Sequence, residues 1–143
     1  MDFSVYTNEQ LNKMNKNTLM ETLGIEFFDA GVNSIRAKMP VDARTHQPMG
    51  LLHGGASAVL IESIGSLGSA LMCDLKIEHP VGIEVNANHI GGISSGYVIG
   101  VGKLLHGGKK SHIWQVDVFD ESNNKLICTG RLTVMIIQKN NES

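Results

Sequence analysis

The side chains best suited to chemistry fall in one stretch, Gln47 to Asp74. It opens with Gln47-Pro48-Met49-Gly50-Leu51-Leu52-His53-Gly54-Gly55, a Pro/Gly-rich turn. Nineteen residues follow, Ala56 to Asp74, and Glu62 is the one charge before the last of them. An apolar helix has little use for a carboxylate at its middle, because a buried unpaired carboxylate is costly. Taken alone, Glu62 fits a carboxylate capped by Ser66 or paired with a basic residue at an interface. Ser66, Ser69 and Cys73 follow Glu62 at spacings of four, three and four, so all four share one helix face.

The start of this helix suggests more. His53-Gly54-Gly55 places unpaired backbone N–H groups at the helix N-terminus. Glycine lets a substrate oxygen come close, and the positive end of the helix dipole points there. Donors aimed at a developing oxyanion are a major source of rate in acyl transfer. In isolation, His53 reads as a helix-start histidine bonded to nearby backbone, and Gln47 as a turn residue. Gly54 and Glu62 are eight residues apart, roughly 12 Å at 1.5 Å per residue. A reacting carbonyl must lie about 3 Å from each. Two such helices, antiparallel across a twofold axis, would bring Glu62 of one chain to Gly54 of the other. The expectation is a homodimer with two shared sites.

The surrounding pattern supplies elements to hold this stretch. Thr7-x-x-Gln10 resembles a capping box before a short helix over 8–16. A second short helix starts at Asn17 or Thr18 and stops at Gly24. Strands are predicted over 25–29 and from Ser34 to about Pro40. The central helix covers roughly 54–74, and Lys76 to Pro80 reads as a loop. Four strands follow, 81–90, 94–105, 111–120 and 125–137, then a polar tail, 138–143. The short connections at 106–110 and 121–124 imply an antiparallel sheet. Leu60, Ile64, Leu67 and Leu71 form an apolar stripe flanked by Val59 and Ile61, so the helix should be buried almost all round. Gly100 and Gly102 on a strand, with Gly65 and Gly68 on the helix, would let sheet and helix approach closely. The class is α+β, a curved antiparallel sheet wrapped around a long central helix.

At 143 residues the chain is one domain by length. A formal charge of −2, with no basic cluster beyond Lys109-Lys110, argues against nucleic acid or a membrane surface as partner. A membrane span over 56–73 is rejected because Glu62 sits at its centre. The two cysteines, Cys73 and Cys128, read as small core residues in a reducing compartment. The N-terminus lacks the pattern of a signal peptide, so a cytoplasmic location is expected. The six histidines show no metal-ligand spacing, and no metal is expected.

The pattern Gln47…His53-Gly54-Gly55…Glu62…Ser66 resembles the hotdog-fold acyl-CoA thioesterases, of the type that hydrolyses hydroxybenzoyl-CoA and 1,4-dihydroxy-2-naphthoyl-CoA. Glu84-Val85-Asn86-Ala87-Asn88-His89 and Leu105-His106-Gly107-Gly108-Lys109, with Ile113-Trp114-Gln115-Val116, are similar to the same family. The resemblance covers about residues 20–137. It implies a catalytic carboxylate, Glu62, acting as nucleophile or as general base for water. The Gly54 N–H would polarise the thioester carbonyl from the opposite chain, and His53 and Gln47 would orient the carbonyl or the attacking water. Ser66 would position Glu62 or the leaving thiolate. CoA phosphates would lie against His89, His106, Gly108, Lys109, Lys110 and Ser111. No cofactor is needed, since CoA is part of the substrate. The family often joins dimers into tetramers. One departure stands out: Ile90 to Ser95 is uncharged where relatives often carry basic residues.

Two other readings share the fold. A hotdog dehydratase acting on a 3-hydroxyacyl thioester would use a catalytic histidine with a differently placed carboxylate. A non-catalytic acyl-CoA-binding module would have no use for a carboxylate facing a thioester.

Overall fold

A computed structural model describes residues 1–139. Two short helices come first, α1 (Asn8–Asn12) and α2 (Leu19–Leu23). The strands β1 (Glu26–Gly31) and β2 (Ser34–Pro40) precede the long helix α3 (Gly54–Met72). After it run β3 (Glu78–His89), β4 (Tyr97–Gly107), β5 (Ser111–Asp120) and β6 (Leu126–Gln138). All strand pairs are antiparallel, in the order β1-β2-β4-β5-β6-β3. This is the hotdog arrangement, one curved sheet around one helix. Register shifts at Phe27/Asp29, Gly82/Glu84, Leu104/His106 and Val118/Phe119 interrupt the ladders. Each such bulge adds local twist and bends the strand.

Local chemistry fixes the N-terminal elements. The Thr7 hydroxyl accepts from the Gln10 N–H, and the Gln10 side chain accepts from the Thr7 N–H, the reciprocal pair expected. The helix that follows is shorter than predicted and ends at Asn12. There the Asn12 side chain turns to bond both the carbonyl and the N–H of Phe27, tying α1 to β1. Gly24 caps α2 in the left-handed region, φ 70°, which glycine adopts without strain.

The helix meets the sheet through its glycines. A Cβ on Gly100 or Gly102 would strike Ile64, and one on Gly65 or Gly68 would strike Leu132 or Trp114. Each glycine pair receives a large side chain from the opposite element. Trp114, Leu60, Ile61, Ile64 and Leu132 are fully buried in this seam. Helix α3 has the length and apolarity of a membrane span, but its apolar sides lie against the sheet.

Two predicted boundaries shift. The stretch Lys76 to Pro80 was expected as a loop, yet β3 begins at Glu78 and runs through Pro80, which pairs with Ile136. Proline is tolerated because β3 is the edge strand, where one N–H row has no partner. Strand β4 starts at Tyr97 and extends through Gly107, so the turn is confined to 108–110. Of the predicted polar tail, Gln138 closes β6 and the Lys139 N–H donates to the Ile77 carbonyl at 2.8 Å. Residues 140–143 lie outside those described.

Candidate active site

The segment from Val41 to His53 is pinned before α3 begins. The Val41 N–H donates to the Gly96 carbonyl, Leu52 to Ile93, and His53 to Thr45, each at 2.8 Å. The buried Thr45 hydroxyl donates to the Pro40 carbonyl at 2.8 Å. Gly50, at φ 77°, closes the turn between Gln47 and Leu51. The Gln47 side chain folds back here, its Oε1 accepting from the Met49 N–H.

His53 is the N-cap of α3. Its Nδ1 accepts from the Gly55 N–H at 2.8 Å, so the neutral ring carries its proton on Nε2. Its carbonyl accepts from Ala56 and Ser57. The sequence suggested several open N–H groups at this helix start. In the structure Gly55 is taken by the cap, and Gly54 keeps the open one: among the described residues no acceptor meets its N–H. The His89 ring packs on the same glycine, with Nε2 2.7 Å from where a Gly54 Cβ would stand. His53, Gly54 and His89 are therefore one cluster, and Gly54 admits the ring because it has no side chain.

Glu62 lies two turns further along α3, half-buried. Ser66 Oγ donates to its Oε1 at 3.0 Å. Across from it is Gly82 of β3, where a Cβ would collide with the carboxylate. The four-residue face predicted for Glu62, Ser66, Ser69 and Cys73 divides. Ser69 is fully buried and its Oγ accepts the Trp114 indole N–H at 3.0 Å. A buried indole N–H needs an acceptor, so Ser69 serves the core. Cys73 caps the helix C-terminus, and burial raises its thiol pKa. The half-buried face left open runs Ala58, Glu62, Ser66, Ala70.

Within one chain the reactive groups do not meet. Gly54 and Glu62 are roughly 12 Å apart along α3. The residues predicted to hold CoA also separate. His89 is at the N-terminal end of α3, while Gly107, next to His106 and Gly108, packs on Met72 at the C-terminal end. A helix of 19 residues puts these ends roughly 28 Å apart. His106, Lys109 and Lys110 are exposed, and the Gly108 N–H donates to the Ser111 carbonyl at 3.0 Å. Among the described residues, no group of three or more His, Cys, Asp or Glu side chains gathers as metal ligands would.

The sequence did not single out Gly82. An isolated glycine inside a strand pattern signals close approach, and that signal was present.

The chain matches the model of the Thioesterase superfamily over residues 49–127. It is 47% identical to the 1,4-dihydroxy-2-naphthoyl-CoA hydrolase of Escherichia coli, over 92% of this chain and 95% of that protein. It is 44% identical to the proofreading thioesterase EntH of Cronobacter turicensis, over 92% and 94%. A crystal structure of a mutant of thioesterase PA1618 from Pseudomonas aeruginosa superposes with a TM-score of 0.91 at 43% identity, covering 96% of this chain and 99% of that one.

Proposed function

The chain belongs to the thioesterase superfamily and is a thioester hydrolase, and on that premise we propose that it cleaves acyl-CoA at two sites, each shared between two subunits of a dimer. The observation that carries this reading is one helix bearing both an unclaimed N–H at its start, on Gly54, and a serine-bonded carboxylate two turns on, Glu62. Antiparallel pairing of two such helices supplies each site with one of each.

The geometry of β3 supports that pairing. It is a 12-residue edge strand, and Val81 to Asn86 are exposed in succession. Val81, Ile83 and Val85 expose 42%, 53% and 41% of their surface on a strand with an open backbone edge, which is a template for a second strand. Pairing of β3 with its copy sets the helices side by side. The same operation brings His89 of one subunit toward His106, Gly108, Lys109, Lys110 and Ser111 of the other, and CoA phosphates bind there. Val81, Met135 and Ile137, neighbours on paired strands, are exposed apolar residues suited to joining dimers into a tetramer.

In the reaction the Gly54 N–H of one subunit holds the thioester oxygen as negative charge develops on it. His53, with its proton on Nε2, donates from beside it, and Gln47 orients the carbonyl or the water. Glu62 of the other subunit either takes a proton from the attacking water or attacks the carbonyl itself, giving an anhydride that water then opens. The C–S bond breaks, the thiolate leaves and is protonated, and the products are the free acid and CoA. An aromatic or hydroxy-aromatic acyl group is supported by the likeness to the Escherichia coli hydrolase.

Release of thiol from a panel of aromatic and aliphatic acyl-CoAs tests the reading. Turnover by the wild type, abolished in Glu62→Gln with binding retained, is expected. Binding without thiol release would make the protein an acyl-CoA binder, and a monomer in sedimentation would remove the shared site.

A further inference from the structure

A cavity of about 510 Å³ runs along α3 from Glu62 past Ser66 to Ala70, two turns or roughly 12 Å of helix. Its volume is within the usual range for small-molecule sites, about 300–1,000 Å³. The residues of α3 that face it are mostly small, which creates the space. Apart from Leu67 of α3, the large apolar ones come from elsewhere: Met14, Leu19 and Met20 of the N-terminal segment, with Leu75 from the loop after α3. Leu19, Met14 and Leu75 are 55%, 52% and 42% exposed. Apolar side chains gathered wet around one cavity contribute little to folding and mark a binding surface. The one lysine on the wall, Lys139, is engaged, its Nζ donating to the Leu75 carbonyl at 2.5 Å.

We infer that this cavity receives the acyl group and that α2, through Leu19 with Met14 beside it, sets the largest acyl group accepted. The inference rests on Glu62 being the catalytic carboxylate, since the cavity opens beside it. The occupant is an uncharged apolar acyl group larger than a single ring, either fused aromatic or a medium-length alkyl chain. Its carbonyl stays at Glu62 while its body extends along Ser66 and Ala70 toward Leu19. In this arrangement the groups that break the thioester and the groups that choose the acyl chain belong to different elements. The N-terminal segment selects substrate without touching the reacting atoms.

The test is the ratio of kcat/KM for dodecanoyl-CoA to that for butanoyl-CoA in wild type, Leu19→Trp and Leu19→Ala. One methylene more or less in an apolar pocket changes discrimination by roughly 10–200-fold. Leu19→Trp should lower the ratio at least about tenfold, and Leu19→Ala should raise it. Val32→Trp, on the exposed β1–β2 turn, should leave it unchanged. A ratio that stays within twofold in both Leu19 variants, or a parallel loss on both substrates, overturns the assignment. Calorimetric binding of S-dodecyl-CoA and S-butyl-CoA thioethers, which cannot be cleaved, separates this inference from the one beneath it. If no thioester is turned over but Leu19→Trp still weakens the dodecyl ether selectively, the cavity assignment stands and the role of Glu62 falls. If thioesters are turned over and the thioether affinities do not separate, the reverse holds.

Discussion

Gly82 of β3 lies directly against the carboxylate of Glu62: a Cβ built on Gly82 would stand 3.1 Å from Glu62 Cδ and nearer still to Oε1. The carboxylate is held from one side by the Ser66 hydroxyl and limited on the other by bare backbone. Gly82→Ala must therefore move it. Displacement of a reacting group by about 1 Å can cost on the order of 10²-fold in rate. The expected result is a kcat lowered about 10- to 100-fold with KM little changed. In a Glu62→Gln background the same substitution should cost almost nothing further, because groups acting as a unit are not additive. An additive loss would mean that Gly82 matters for the fold alone.

Ser66→Ala removes the one hydrogen bond that, among the described residues, Glu62 receives from a side chain. A bond to a charged group contributes about 1.5–3 kcal/mol, and solvent replaces part of it here. A kcat reduced about tenfold is expected. Ser66→Thr, which keeps the hydroxyl, should retain more activity than the alanine variant, and steady-state kinetics of the two decide it.

His53 has two separable tasks. Its Nδ1 caps α3, which leaves Nε2–H for the role proposed for it on the substrate. Loss of an N-cap costs about 0.5–2 kcal/mol. His53→Ala should lose that stability and also activity. His53→Asn, whose side-chain oxygen can still cap, should recover most of the urea stability and little of the kcat. Recovery of both together would make the histidine a cap and nothing more.

The seam between α3 and the sheet is equally specific. Gly68 has the Trp114 ring where its side chain would be, and the same ring donates to Ser69. Gly68→Ala should destabilise by about 1–3 kcal/mol through overpacking. Chemical denaturation measures this directly; a neutral result would show that Trp114 can shift without breaking its bond to Ser69.

Much of this arrangement was legible in the sequence. The Leu60-Ile64-Leu67 stripe and the four glycines announced a close helix–sheet seam, because burial periodicity and missing side chains are local properties. His53-Gly54-Gly55 and Glu62-Ser66 were legible for the same reason. What failed to show was tertiary. The strand through Pro80 looked like a loop because proline breaks a strand unless that strand is an edge, and edges are set by topology. Ser69 looked like part of the Glu62 face because spacing cannot tell which serine a distant indole will claim. The N-terminal segment was read as two short helices and no more, since nothing within Met14 to Met20 says that it walls a cavity on α3.

His112 gives a prediction about pH. It is the second residue of β5, is 4% exposed, and among the described residues its Nδ1 has no partner. Burial, the largest cause, pushes its imidazole below the ordinary value of 6.5. Nearby His106 acts in the same direction, while the Gly108 backbone and Glu78 oppose it. The folded chain thus refuses a proton that the unfolded chain accepts. Well above 6.5 the ring is neutral in both states and its contribution to stability is intact. As pH falls below 6.5 the unfolded state binds the proton first, and stability declines until the pH has passed the lowered folded value. Urea midpoints should therefore fall between about pH 7 and 5, and His112→Phe, which binds no proton, should flatten that slope. An unchanged slope would assign the loss to other groups. His112 directly follows Lys109-Lys110-Ser111. A proton forced onto its ring perturbs the turn whose amides and lysines are proposed to hold the CoA phosphates. KM for acyl-CoA should accordingly rise with acidity in the wild type more steeply than in His112→Phe.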